Sequence, residues 1–412
     1  MSRRHARLGS GVVMLRVLRR GRRLLQRSRS AVTDLIRTGR SFNDAATRRA
    51  QIALANTHSG AAVVLPDTDA TIVTRLRSPA FAIPYPDLRN EDLMPADVRD
   101  ACRGAWAHGA YEESDVIVRR FQNVYLTNQG LVVRADDLGI YRSSISQHTN
   151  HDLNHGLDVL RAALLRGRVN RFREPMALCF KPGHDNYGHW LNEMMPRAAI
   201  LRDLGLQTMR YIVPPQSGAL GRALRDSAAL LGLPRRRLVP ACEPMWCEDV
   251  YLVEQLTHHG IFMSPLVFDA AREVAAQVPG DPDEAIYVTR RGFTRAFAEE
   301  DAVAEAFQRA GFRVIDPAGM SFRQQVAAFK NARRIVGVMG AGLSNISFTA
   351  PGARITVFAP TTMADTFYWF LAGLNGHTYR EVRCPVTGQA RRHGAKDMDL
   401  DMSVDAVMAA IL

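Results

Sequence analysis

The sequence predicts a two-lobed α/β protein whose second lobe is a parallel sheet with helical crossovers. Three observations carry that expectation. Short β-branched runs alternate with segments of helical spacing between residues 285 and 360. One of those runs feeds directly into Gly340-Ala341-Gly342. A stretch rich in Pro, Gly and Asp at 278–283 separates this region from an earlier α/β pattern. Alternation of this kind is how parallel sheets are written, and the glycine stretch has linker composition.

Residues 1–50 form a basic arm. They hold 14 arginines against Asp34 and Asp44, which accounts for the whole formal charge of +12. The rest of the chain is neutral overall, so no nucleic-acid partner is expected. Val13, Val17, Leu24 and Leu25 stand between the arginines. The arm is either an amphipathic helix on an anionic membrane surface or a solvated extension. The apolar run at 12–15 is too short for a spanning or signal segment. Five scattered cysteines without CxxC spacing indicate neither a zinc ribbon nor a disulfide framework. A cytoplasmic location, peripheral on the inner face of the membrane, is expected.

The first lobe is expected over 60–278. Short strands are predicted at 116–121, 124–127 and 131–133, with Asn128-Gln129-Gly130 as a turn. Further strands are expected at 176–180, 211–213 and 250–253, and helices at 187–204 and 219–231. The second lobe, 284–412, opens with the strand at 285–289. Val303, Ala306, Phe307 and Ala310 are helically spaced behind acidic residues, and a strand follows at 312–315. Ser321 and Gln324 match a capping box ahead of Phe322, Val326 and Phe329. The strand 334–338 then runs into the glycine turn, a helix, and a last strand at 354–358. In such sheets ligands sit off the carboxyl ends of the strands, where glycines let backbone N–H groups approach a phosphate.

Chemistry concentrates in two places. In Asn186-Tyr187-Gly188-His189-Trp190-Leu191-Asn192-Glu193, His189 and Glu193 are one helical turn apart. A carboxylate there fixes the tautomer of an imidazole and raises its basicity, as a general base requires; the alternative is a capped surface histidine. Trp190, Met194, Ala198 and Leu201 form the apolar stripe, and Pro196 kinks or restarts the helix. In the second lobe Arg290 follows a strand directly and Arg295 lies five residues on, within reach of a diphosphate.

The order N-Y-G-H-W-L-x-E-x-x-P-R, I-Y-V-T-R-R-x-x-x-R, a G-F strand, S-F-x-x-Q and G-A-G-L-x-N-x-x-F resembles glycosyltransferase family 61. That family includes bacterial capsular-polysaccharide proteins. The resemblance covers roughly residues 176–383. It implies a GT-B-like fold, two Rossmann-like lobes facing a cleft, to which the residues themselves add extra β-structure and a basic arm at the N-terminus. It also implies inverting, metal-independent transfer from a nucleotide sugar to a glycan or other hydroxyl acceptor, with no further cofactor. His189, oriented by Glu193, becomes the candidate base. Asn186, Tyr187 and Trp190 fall on the acceptor side. Arg290, Arg295, Gly340, Ala341, Gly342, Leu343 and Asn345 are the candidate donor contacts. Met339 stands where the family usually has histidine, Val357 where it often has a strand-end carboxylate, and Ala298-Glu299 in place of Asn-Glu. These departures leave a second expectation open, an inactive homologue that binds glycan or scaffolds the assembly machinery. Asp281-Pro282-Asp283, the Asp397, Asp399 and Asp401 run, and His148, His151 and His155 are expected to be solvated rather than metal-binding.

Overall fold

The computed structural model describes residues 62–389 and 394–411, so the basic arm lies outside the described residues. The chain builds two large sheets. The first, of ten strands, is centred on the antiparallel pair Ser114–Leu126 and Met245–Glu254. Met176–Leu178 runs parallel to the latter, and Arg210–Val213 and Leu238–Pro240 continue the parallel order. The strands expected at 116–121 and 124–127 are one. Asn123 takes a left-handed φ of 52° between them, which asparagine tolerates well. The pairing keeps its register across it, Gln122 opposite Asp249 and Val124 opposite Cys247. The turn at 128–130 is present, with Gly130 at φ 81° where only glycine is unstrained.

The second sheet is parallel throughout. Its order is Arg313–Ile315, Ala285–Val288, Arg334–Val338, Arg354–Pro360, Thr378–Cys384 and Asp87–Arg89. The crossover helices Glu300–Arg309 and Phe322–Lys330 stand where the spacing put them, and Ser321 and Gln324 make the reciprocal capping box. The edge strand Asp87–Arg89 comes from the segment 60–278, so that segment is not confined to the first sheet. After Gly340 the chain forms a 3-10 helix, Ala341–Phe348, in place of the expected α-helix. Asn345 turns its Nδ2 back onto the Gly342 carbonyl at 2.9 Å. Side-chain bonds of this kind compete with regular i→i−4 pairing and favour the tighter turn.

Elements around the two sheets share apolar packing. A single apolar cluster takes in Trp190, Leu191 and Met194, then Val267 and Phe268, then Leu343, Ile346 and Phe370. Each such fully buried side chain contributes roughly 1.5–3 kcal/mol, so the packing here is substantial. Among the described residues no helix is long and apolar enough to cross a membrane.

Candidate active site

The motif helix is built in three pieces. Tyr187–His189 is α-helical, Trp190–Met194 is a π-turn, and Met195–Arg202 resumes the α-helix with Pro196 in its first turn. Pro196 has no N–H to give to the carbonyl four residues back, and the Met195 N–H reaches five residues back to the Trp190 carbonyl. Asn186 caps the start by accepting from the Gly188 N–H at 2.8 Å.

Along this helix the His189 Nδ1–H donates to Glu193 Oε1. Glu193 is buried, and two further groups converge on it. Lys181 places Nζ 2.6 Å from Oε2, and His259 donates from Nδ1 to Oε1 at 3.1 Å. Burial opposes a charge on Glu193. The hydrogen bonds from His189 and His259 and the ammonium of Lys181 outweigh it and hold the carboxyl well below its usual range. Burial likewise works against a charged His259. Its bond to Glu193 and the Asp365 carboxylate, 3.9 Å from Nε2, win and raise it. The His189 and His259 rings lie 4.5 Å apart, and His259 stacks on Phe367 at 4.8 Å. Gly183 approaches the open edge of His189; a Cβ there would be 3.1 Å from Nε2.

The arginine loop is organised by Glu300. Its Oε1 accepts from the Tyr287 hydroxyl at 2.9 Å, from Thr289 Oγ1 and from the Arg290 N–H at 3.2 Å, while Oε2 accepts from the Phe297 N–H at 3.1 Å. Arg290 donates from Nε to the Thr294 carbonyl at 2.8 Å and lies over Gly340, where a Cβ would be 2.5 Å from Cζ. Arg295 takes φ 66° and sets Nη1 3.2 Å from Met363 Sδ, while its buried Nε has no hydrogen-bond partner among the described residues. Burial and the neighbouring Arg295 push Arg290 down to about 10. Two half-buried guanidinium groups that repel one another form a site suited to an anion. Tyr368 senses both arginines and Asp365, and burial lifts its hydroxyl to about 12. The stretch 365–368 therefore links the imidazole pair to the arginine pair.

The sequence-predicted residues divide accordingly. His189 and Glu193 stand together on one side, Arg290, Arg295 and Gly340 on the other. Trp190 and Leu343 have their side chains in the apolar core, the indole N–H of Trp190 donating to Ser227 at 2.9 Å. Asn345 and Tyr187 bond to each other across the sheets, Tyr187 donating to Asn345 Oδ1 at 2.7 Å. Asn186 serves as the helix cap. Ala341 and Gly342, half-buried, open the 3-10 helix.

The departures from the family pattern also change meaning. Met339 and Val357 are fully buried in the core, and Val357 sits mid-strand, since the strand runs on to Pro360. The carboxylate beyond that strand end is Asp365. The loop carboxylate is Glu300, one residue past the Ala298-Glu299 position, and Ala298 is tied by its N–H to the Leu400 carbonyl at 3.0 Å.

His189, Glu193 and His259 offer ligand atoms within 4.8 Å of one another, a grouping that could hold a metal ion. Lys181 already supplies a positive charge to Glu193 there. Asp281 and Asp283 both pair with Arg313, at 2.6 and 2.8 Å, and are not free ligands. Asp397 is buried, not solvated. His148 is also not a surface histidine, because its ring bonds the Gln129 carbonyl at 2.8 Å; His151 and His155 are exposed.

Residues missed by the sequence reading are Lys181, His259, Glu300, Asp365 and Tyr368. Only Glu300 carried a local signal, as an acid in the first turn of its helix. Against known families, residues 187–356 match the model described as Glycosyltransferase 61. No curated protein matches the chain.

Proposed function

We propose that this protein, whose residues 187–356 match the Glycosyltransferase 61 family model, transfers a sugar from a nucleotide-sugar donor to a hydroxyl of a glycan, with inversion, in a GT-B-type arrangement. The observation that carries the reading is the pairing of an oriented imidazole, His189 on Glu193, with the Arg290 and Arg295 pair across residues 365–368. Inversion requires a base on the acceptor face and charge stabilisation on the leaving face. In this reading His189 Nε2 accepts the acceptor proton while Nδ1–H is held by Glu193. Arg290 and Arg295 face the leaving diphosphate, and their charges serve there without a metal. The burial of Met339 and Val357 removes them from the argument for an inactive homologue.

The setting proposed is cell-surface polysaccharide assembly at the cytoplasmic face, with the arm 1–50 on anionic lipid. Thermal shift against a panel of nucleotide sugars tests the central claim, since a ligand selective for the folded state raises the melting temperature. One donor is expected to stabilise the native chain and not Arg295→Ala. The product's anomeric configuration, read by proton NMR, is expected to be inverted. A chain that no nucleotide sugar stabilises, or a retained configuration, overturns the reading.

A further inference from the structure

Arg383 and Glu381 are a charged pair that the proposed reaction does not use. Both side chains are wholly buried, on the strand Thr378–Cys384, and Arg383 Nη2 pairs with Glu381 Oε1. The Tyr379 hydroxyl donates to Glu381 Oε2 at 2.5 Å. A buried ion pair of this kind adds little stability over apolar side chains of similar volume. What distinguishes this one is the turn it holds. Arg383 Nη1 donates to two carbonyls at once, Met363 at 2.6 Å and Pro360 at 3.1 Å. These are the two ends of one turn, closed by the Met363 N–H on the Pro360 carbonyl at 3.2 Å. The guanidinium is itself fixed by the helix Ala96–His108, with Cys102 Sγ 3.5 Å from Nη2 and the Trp106 ring centroid 5.8 Å from Cζ.

The same turn sets Met363 Sδ 3.2 Å from Arg295 Nη1. Arg295 needs such a hold. Its φ of 66° is uncommon for a residue other than glycine, and its buried Nε has no hydrogen-bond partner among the described residues. A thioether sulfur is a weak, uncharged acceptor. It orients a guanidinium without neutralising it, where a carboxylate would compete with an anionic ligand. We propose that Arg383 is a positioning residue for the donor site: it clamps the turn 360–363, and through Met363 the turn holds the Arg295 guanidinium in place for a diphosphate. Arg383 does not touch the ligand. The inference rests on the reading of Arg290 and Arg295 as the diphosphate site, and the experiment separates the two.

The probe is inorganic pyrophosphate, titrated calorimetrically into the full-length protein. Removing Arg383 alone strands the Glu381 charge, so the variant is paired: Arg383→Met with Glu381→Gln, which keeps an acceptor for Tyr379. It is expected to melt cooperatively and to bind pyrophosphate about 10-fold or more weakly than the native chain. Met363→Ala, at a half-buried position, leaves the ion pair intact and is expected to weaken binding as well. Each change is then added to Arg295→Ala, where Arg290 remains to bind the anion. Acting through Arg295, neither change lowers affinity further in that background; a merely structural role lowers it in both. Arg383→Lys, which still gives a charge to Glu381 and an N–H to the Met363 carbonyl, is expected to stay closer to native than the paired variant. Should the paired variant not fold, Met363→Ala decides. Native affinity in Met363→Ala, or an equal fall with and without Arg295, overturns the proposal alone. A native chain that pyrophosphate does not bind, or Arg295→Ala binding as tightly as native, overturns the donor-site reading and this proposal with it.

Discussion

Replacing Gly340 with alanine separates donor recognition from folding. Gly340 has φ 173°, extended backbone that any residue adopts, so alanine brings no backbone strain. What it brings is a methyl 2.5 Å from Arg290 Cζ and closer still to Nη1. Carbon atoms settle at about 3.5–4.0 Å, so the guanidinium must retreat by more than about 1 Å. The retreat breaks the bond from Nε to the Thr294 carbonyl, a loss of about 1 kcal/mol. Gly→Ala at a strain-free position returns about 0.4–1 kcal/mol through the unfolded chain, so the melting temperature should stay close to native.

Donor binding should not. A charge-assisted hydrogen bond to a phosphate contributes about 1.5–3 kcal/mol, which is about 10- to 100-fold in affinity. The assay is a thermal-shift titration of native and Gly340→Ala protein with the nucleoside diphosphate that stabilises the native chain. Native affinity in the variant would refute the placement of Arg290 on the diphosphate. A large fall in the ligand-free melting temperature would refute the claim that only a flexible side-chain end is displaced.

Three further outcomes follow from the geometry. Glu300→Ala strands the hydroxyls of Tyr287 and Thr289 and two loop N–H groups, so urea unfolding should show a loss of about 3 kcal/mol or more. Glu300→Gln keeps an acceptor and should lose less; a midpoint unchanged in Glu300→Ala contradicts its organising role. Gly183→Ala sets a side chain at φ 81° and about 3 Å from the open edge of His189, so turnover should fall while donor affinity holds. Equal loss of both would place Gly183 on the donor side. The pH dependence of stability should carry two opposite signs. Glu193 titrates lower in the folded state, so its contribution is present above the ordinary value near 4.3 and is lost as pH falls through the depressed one. His259 titrates higher when folded, so its contribution is complete below about 6.5 and disappears as pH rises through the raised value. Chemical denaturation of native, Glu193→Gln and His259→Asn proteins between pH 3 and 9 checks both; a His259→Asn deficit that grows with pH would invert the second sign.

Local rules explain what was legible in the sequence. The Ser321 capping box, the β-branched strands and the one-turn spacing of His189 and Glu193 each depend on residues within a turn of one another, and each is present. The rest of the site is assembled by the fold. His259 reaches Glu193 across 66 positions of sequence, and Lys181 and Asp365 arrive from two other loops. No periodicity encodes such a meeting. Trp190 and Leu343 stand inside polar motifs yet pack into the core, Trp190 on the apolar stripe that the helical spacing marks.

The geometry of the helix joint explains why His189 and Arg290 hold their spacing. Asn192 precedes Glu193 on the π-turn, and its Oδ1 accepts from Ser347 at 2.5 Å, while its Nδ2 lies 3.4 Å from the Ser344 carbonyl. Tyr187 spans the same gap to Asn345, and Gly188 has no side chain because a Cβ would meet Ser344 Oγ at 2.5 Å. The turn that receives these bonds is the one that begins at Gly340 beneath Arg290. Hydrogen bonds are directional, and an unmade buried one costs about 1–3 kcal/mol, so sliding one sheet past the other is opposed by several groups at once. The extra residue of the π-turn matters here. It keeps Asn192 aimed at the second sheet while His189 and Glu193, on either side of it in sequence, remain bonded to each other. The position of His189 relative to the turn beneath Arg290 is thus fixed by the joint itself rather than by the distant packing of the two sheets.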